Sequence, residues 1–88
     1  MKRELLFFHA SWCAPCKKMK PIVQELADEG TMDINFIDVD QEAMKAEDYS
    51  IESIPTLVLM SNQGEEKRGT GFKTRQEIIN FYNSDLNY

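Results

Sequence analysis

Two short, unbroken apolar runs constrain this chain most: Leu5 to Phe8 (LLFF) and Thr56 to Met60 (TLVLM). A strand with one wet face alternates apolar and polar residues, so a run without alternation points to a strand covered on both faces. Such strands lie in sheets with helices above and below, and an α/β fold is expected. Between the two runs, Met19, Ile22, Val23 and Leu26 recur at helical spacing from Cys13 to about Glu29. Gly30 stands where a C-terminal cap belongs. Pro21 falls inside this helix and removes one backbone donor, which predicts a kink. Ile34 to Val39 (INFIDV) reads as a second strand and Glu42 to Asp48 as a short charged helix. Strand, helix, strand, helix implies parallel pairing.

After TLVLM comes the turn-like Ser61-Asn62-Gln63-Gly64, then the polar EEKRG, which suits an edge strand paired antiparallel through a short loop. Thr74-Arg75-Gln76-Glu77 has the form of a capping box. It opens a helix whose Ile78, Ile79, Tyr82 and Leu86 make one apolar face. The expected order is βαβαββα.

The chain has 88 residues, room for a single domain over residues 1–88, and no repeat or low-complexity linker interrupts it. A formal charge of -5 disfavours nucleic acid and anionic membrane surfaces as partners, because both repel it. The amino-terminal MKRELLFF is too short in its apolar part for a secretory signal, which needs about 7 to 15 apolar residues. No stretch approaches the roughly 18 apolar residues of a membrane span. A soluble, cytoplasmic protein is expected, a setting in which cysteines are more often reactive than structural.

Both cysteines of the chain, Cys13 and Cys16, lie between the first strand and the first helix, outside the carboxyl end of the strand, where α/β sheets place their chemistry. A helix amino terminus offers free N–H groups and partial positive charge, which favours a thiolate on Cys13. Lys17 and Lys18 oppose the helix dipole but favour a nearby anion, though lysines are also common on any solvated helix face. A disulfide between residues so close in sequence closes a small loop and removes little chain entropy, so it makes a poor staple. A closed zinc site wants four ligands, and a single histidine accompanies the two cysteines. Dithiol–disulfide exchange is the favoured reading. A metal site and an inert pair are the alternatives.

Ser11-Trp12-Cys13-Ala14-Pro15-Cys16-Lys17, Pro21, Asp38-Val39-Asp40 and Ser53-Ile54-Pro55-Thr56 together resemble the thioredoxin family over nearly the whole chain. The resemblance implies a minimal thioredoxin fold, a four-stranded mixed sheet with helices on both faces. By the same resemblance Cys13 is the attacking thiolate, Cys16 the resolving thiol, and Ile54-Pro55 a cis bond; taken alone, Pro55 reads as a strand-entry proline. Trp12, Ala14, Pro15, Ile54, Pro55 and Gly71 are expected to line the client groove, with Trp12 on the surface and not in the core. The activity implied is reduction of disulfides in client proteins, ribonucleotide reductase among the candidates, with a thioredoxin-reductase-like flavoenzyme as electron source. The redox-active pair needs no further cofactor and no metal, and a monomer is expected.

Several positions depart from the family pattern. The chain begins at the family's second strand, leaving a core of glutaredoxin size. The family's buried acid falls on Phe7, and its lysine partner on Phe36. Ala14 replaces the common glycine. His9 replaces a tryptophan and shares a strand face with Phe7. With an ordinary pKa of about 6.5, His9 is a candidate to handle protons for Cys16, against the simpler reading of a packing histidine. Two other functions stay open at this point: a glutathione-dependent, glutaredoxin-like reductase, and a binding module that makes no use of its sulfurs.

Overall fold

The computed structural model describes residues Lys2 to Ser84. Its elements are β1 (Arg3–His9), α1 (Ala14–Asp28), β2 (Ile34–Asp38), α2 (Ala43–Asp48), β3 (Thr56–Ser61), β4 (Gly64–Thr70) and α3 (Arg75–Asn83). The expected βαβαββα order is the observed one. The strands form one four-stranded sheet in the order β2-β1-β3-β4. β1 runs parallel to β2 and antiparallel to β3, and β4 pairs antiparallel with β3. The sheet is therefore mixed, and the unbroken apolar runs occupy its two central strands.

Strand alternation sends the LLFF run to two cores. Leu5 and Phe7 face a layer formed with Met19, Val23 and Leu26 of α1 and Ile78 of α3. Leu6 and Phe8 face the opposite side, where Ile37 and Val58 are joined by Tyr49, Ile51 and Ile54. Each fully buried side chain of this size contributes about 1.5–3 kcal/mol through removal from water, an upper figure because unfolded chains are partly collapsed. α1 and α3 thus cover one face of β1, and Tyr49, Ile51 and Ile54, which follow α2, cover the other.

Element ends differ from the sequence reading by one or two residues; β1, read as Leu5 to Phe8, runs from Arg3 to His9. Val39, expected in β2, lies beyond it, because the Asp38 carboxylate accepts the N–H groups of Asp40 (2.9 Å) and Gln41 (3.4 Å) and turns the chain. Ser61, expected in the turn, closes β3 opposite Gly64, and its hydroxyl accepts from the Gln63 N–H at 3.1 Å. α1 runs through Pro21 as one helix, and Gly30 follows it with φ of 77°, its N–H donating to Ala27 at 3.1 Å. That left-handed stop is the reason for glycine there. The Thr74 capping box forms as expected, with Glu77 accepting from the Thr74 N–H at 2.8 Å. Ile78 is buried and Ile79, Phe81 and Tyr82 pack around it, while Leu86 lies outside the described residues.

Candidate active site

β1 ends at His9, and residues 10–13 carry the chain to the amino terminus of α1. Cys13 is the N-cap residue, extended at φ -92° and ψ 109°, and its Sγ accepts the backbone N–H of Cys16 at 3.3 Å. A sulfur in place of the usual cap oxygen satisfies one of the helix's free donors and faces the positive end of its dipole. Pro15 stands in the first turn, where its missing N–H costs nothing. The two cysteines are joined as a disulfide with 5.2 Å between their Cα atoms.

Exposure barely separates the two sulfurs, with Cys13 at 5% and Cys16 at 2%. Their surroundings do separate them. Cys13 Sγ lies 3.8 Å from the carbonyl oxygen of Ile54, whose bond to Pro55 is cis. Cys16 instead borders a half-open cavity of about 260 Å³ with His9, Ser11, Lys17, Lys20 and Asp38. Cys13 meets the neighbouring loop, and Cys16 meets titratable groups.

The surface around Cys13 gathers residues from three segments. Trp12 is 66% exposed, and its Nε1–H donates to Asp40 Oδ2 at 2.8 Å. Ala14 and Pro15 are exposed beside it, Ile54 is half-buried and Pro55 buried. Gly71, at φ 92°, donates its N–H to the Pro55 carbonyl at 2.9 Å and so fixes the end of β4 against the proline loop. The next residue, Phe72, is exposed. A second cavity, of about 340 Å³, runs between Trp12 and Ile54 over Val39, Ala46 and Ile51, with Glu52 and Ser53 at its margin. Every residue expected in the groove therefore lies on elements that border Cys13 or the proline loop. The sequence reading missed Asp40 as the partner of Trp12, Lys20 and Asp38 beside His9, and Phe72. Asp40 stood within a family-like motif, which was its only signal.

His9 is 8% exposed. Its ring stacks on Phe7 at 5.2 Å and meets Phe36 edge-on at 6.3 Å, and its Cα pairs with that of Asp38. Burial, and then the charge of Lys20, hold its pKa below the ordinary value, with Asp38 acting against them. The imidazole is packed and also lines the cavity that Cys16 borders. Among the described residues no three His, Cys, Asp or Glu side chains gather as metal ligands, and no helix is long and apolar enough to cross a membrane.

The thioredoxin family model matches residues 1–84. The chain belongs to the thioredoxin family. It is 40% identical to a thioredoxin of Chlamydia trachomatis over 76 residues, 85% of this chain and 74% of the relative. Against a thioredoxin of Mycoplasma genitalium it is 39% identical over 85 residues, 94% of this chain and 82% of that one. Among solved structures, Fasciola hepatica thioredoxin superposes with a TM-score of 0.83 at 29% identity, covering 92% of this chain and 78% of its own. A malarial protein superposes with a TM-score of 0.86 at 23% identity over 98% of this chain and 99% of its own, which shows the fold alone. Thioredoxin-family membership and a Cys13–Cys16 pair at bonding distance make this protein a thiol–disulfide oxidoreductase of the protein-disulfide reductase type.

Proposed function

We propose that Cys13 attacks and Cys16 resolves. The observation that carries this assignment is the N-cap geometry: the Cys16 N–H and the helix dipole both address Cys13 Sγ, so once the pair is reduced they favour its thiolate. In the first exchange the Cys13 thiolate attacks a client disulfide. A Cys13–client sulfur bond forms, the client S–S bond breaks, and one client thiolate leaves and takes up a proton. Cys16 then loses its proton and attacks Cys13 Sγ. The Cys13–Cys16 bond forms, the mixed disulfide breaks, and the second client sulfur leaves as thiolate. Two electrons pass to the client, and the pair is left oxidised.

Burial disfavours the Cys16 thiolate, so a proton acceptor helps the second step. We assign that role to His9, which borders the same cavity and which its surroundings hold toward the neutral, proton-accepting form. Trp12, Ala14, Pro15, Ile54, Pro55 and Gly71 form the surface on which an extended client segment lies. The protein works as a monomeric single domain in the cytoplasm, on client proteins such as ribonucleotide reductase, and a thioredoxin-reductase-like flavoenzyme restores the dithiol. The redox pair itself is the only cofactor this chemistry calls for.

Trapping tests the assignment. Cys16→Ser should accumulate a covalent mixed disulfide between Cys13 and a client, released by dithiothreitol, while Cys13→Ser should accumulate none. The opposite pattern would reverse the roles of the two sulfurs.

A further inference from the structure

Charge is unevenly spread around the cysteines. Between Asp38 and Glu52 the chain carries six carboxylates against one ammonium, Lys45. α1 carries Lys17, Lys18 and Lys20 over its first two turns and no acid before Glu25. Cys13 stands at the junction. On the acidic side, the 340 Å³ groove between Trp12 and Ile54 is lined by the apolar side chains of Val39, Ala46 and Ile51, and Glu52 is its one charged lining residue. Asp40 is held at the same lip by the Trp12 indole. The Arg68 guanidinium of β4, which reaches the end of α2, is occupied by Glu65 at 2.7 Å and by the Tyr49 carbonyl at 2.8 Å.

An apolar floor with carboxylates at the rim selects against an acidic occupant and favours one that is apolar and cationic. We propose that the client segment received in this groove carries an apolar side chain beside its cysteine, followed by a lysine or arginine that meets Glu52 and Asp40. The proposal rests on the reading of the protein as a reductase of protein disulfides and names the chemistry of the segment it prefers. Exposed carboxylates act here by steering encounter and excluding like charge more than by binding, so the preference is screened by salt. The net charge of -5 attracts any cation, and the groove's share must be separated from it.

Two disulfide-linked peptide dimers test this, one with cysteine flanked on both sides by Leu then Arg, the other by Leu then Glu. Each rate of reduction is divided by the rate with dithiothreitol, which removes intrinsic differences in the disulfides. At low salt the Arg dimer should be reduced about tenfold faster than the Glu dimer, at the lower end of electrostatic rate effects. Near about 0.5 M salt, where screening is strong, the ratio should approach one. Glu52→Lys should lower the low-salt ratio at least about threefold, by reversing one rim charge. Asp28→Lys makes the same change in net charge at the far end of α1, about 21 Å along the helix axis from its amino terminus, and should leave most of the ratio in place. A ratio near one in the unmodified protein, or an equal response to the two substitutions, would overturn the proposal while leaving the reductase intact. Failure to reduce either dimer would overturn the reductase reading and the preference with it.

Discussion

The Trp12 indole donates to the Asp40 carboxylate at 2.8 Å, joining the loop before α1 to the turn after β2 across 28 residues. Trp12 is the chain's one tryptophan, so its fluorescence reports this contact without interference. Asp40→Ala should free the ring and lower its emission anisotropy, whereas Asp40→Asn retains an acceptor and should preserve most of it. A hydrogen bond of this kind is worth about 0.5–1.5 kcal/mol net, which caps the loss in kcat/KM toward a protein disulfide at roughly tenfold. Thermal stability should move little, as for most surface changes. A large loss of stability with unchanged anisotropy would mean that Asp40 serves the fold and not the indole.

Gly71 couples the proline loop to the end of β4 by its N–H to the Pro55 carbonyl at 2.9 Å, and does so at φ 92°. A Cβ built on Gly71 meets nothing within 4 Å, so the cost of Gly71→Ala is conformational and not steric. It should destabilise by about 1–2 kcal/mol. In a domain of this size each 1 kcal/mol lowers Tm by about 4–8 °C. Calorimetry decides: an unchanged Tm would show that the turn relaxes freely at this position.

Much of this architecture was legible because it is encoded locally. The LLFF and TLVLM runs needed only their lack of alternation to be read as doubly covered strands. The α1 stripe of Met19, Val23 and Leu26 needed only its period, and Thr74 and Glu77 needed only their spacing. The cysteine pair was legible for the same reason, since four consecutive residues define it. The Trp12 to Asp40 bond was not legible, because it depends on where Asp38 turns the chain, which no periodicity records. The cis bond before Pro55 was expected from the family resemblance alone, as composition favours the trans form. Lys20 read as a solvated helix lysine, and only the assembled cavity places it with His9 and Asp38.

His9 carries a pH signature whose sign is fixed by its surroundings. Its pKa is lowered from 6.5 in the folded chain, first by burial and then by Lys20, so the unfolded chain binds the proton more readily. Stability from this group is fully present above the unfolded value and is lost as pH falls through about 6.5 toward the folded pKa. The lowered carboxylates of Glu65 and Glu77 titrate from 4.5 downward and leave this window to His9. His9→Phe, which preserves an aromatic ring between Phe7 and Phe36, should flatten Tm against pH between about 7 and 5.5. The same variant should remove a pH-dependent step from resolution of the mixed disulfide, followed by single-turnover release of client. An unaltered kinetic profile beside a flattened Tm would leave His9 a packing residue.

The Phe7 ring meets that of Phe36, its register partner on the neighbouring parallel strand, edge-on at 5.7 Å. Side chains in direct contact are energetically coupled, so changes at the two positions should not add independently. Phe7→Ala leaves a void in the α1 layer and should cost about 3–5 kcal/mol. Phe7→Asp should cost at least as much, since it adds an unpaired carboxylate where Phe7 is fully buried. Adding Phe36→Lys to Phe7→Asp should then recover about 1 kcal/mol or more, the size expected for contacting partners in a double-mutant cycle. Urea unfolding of the single and double variants measures it. Additive losses would mean that the two positions are not coupled and that the site does not accept an ion pair in place of the aromatic contact.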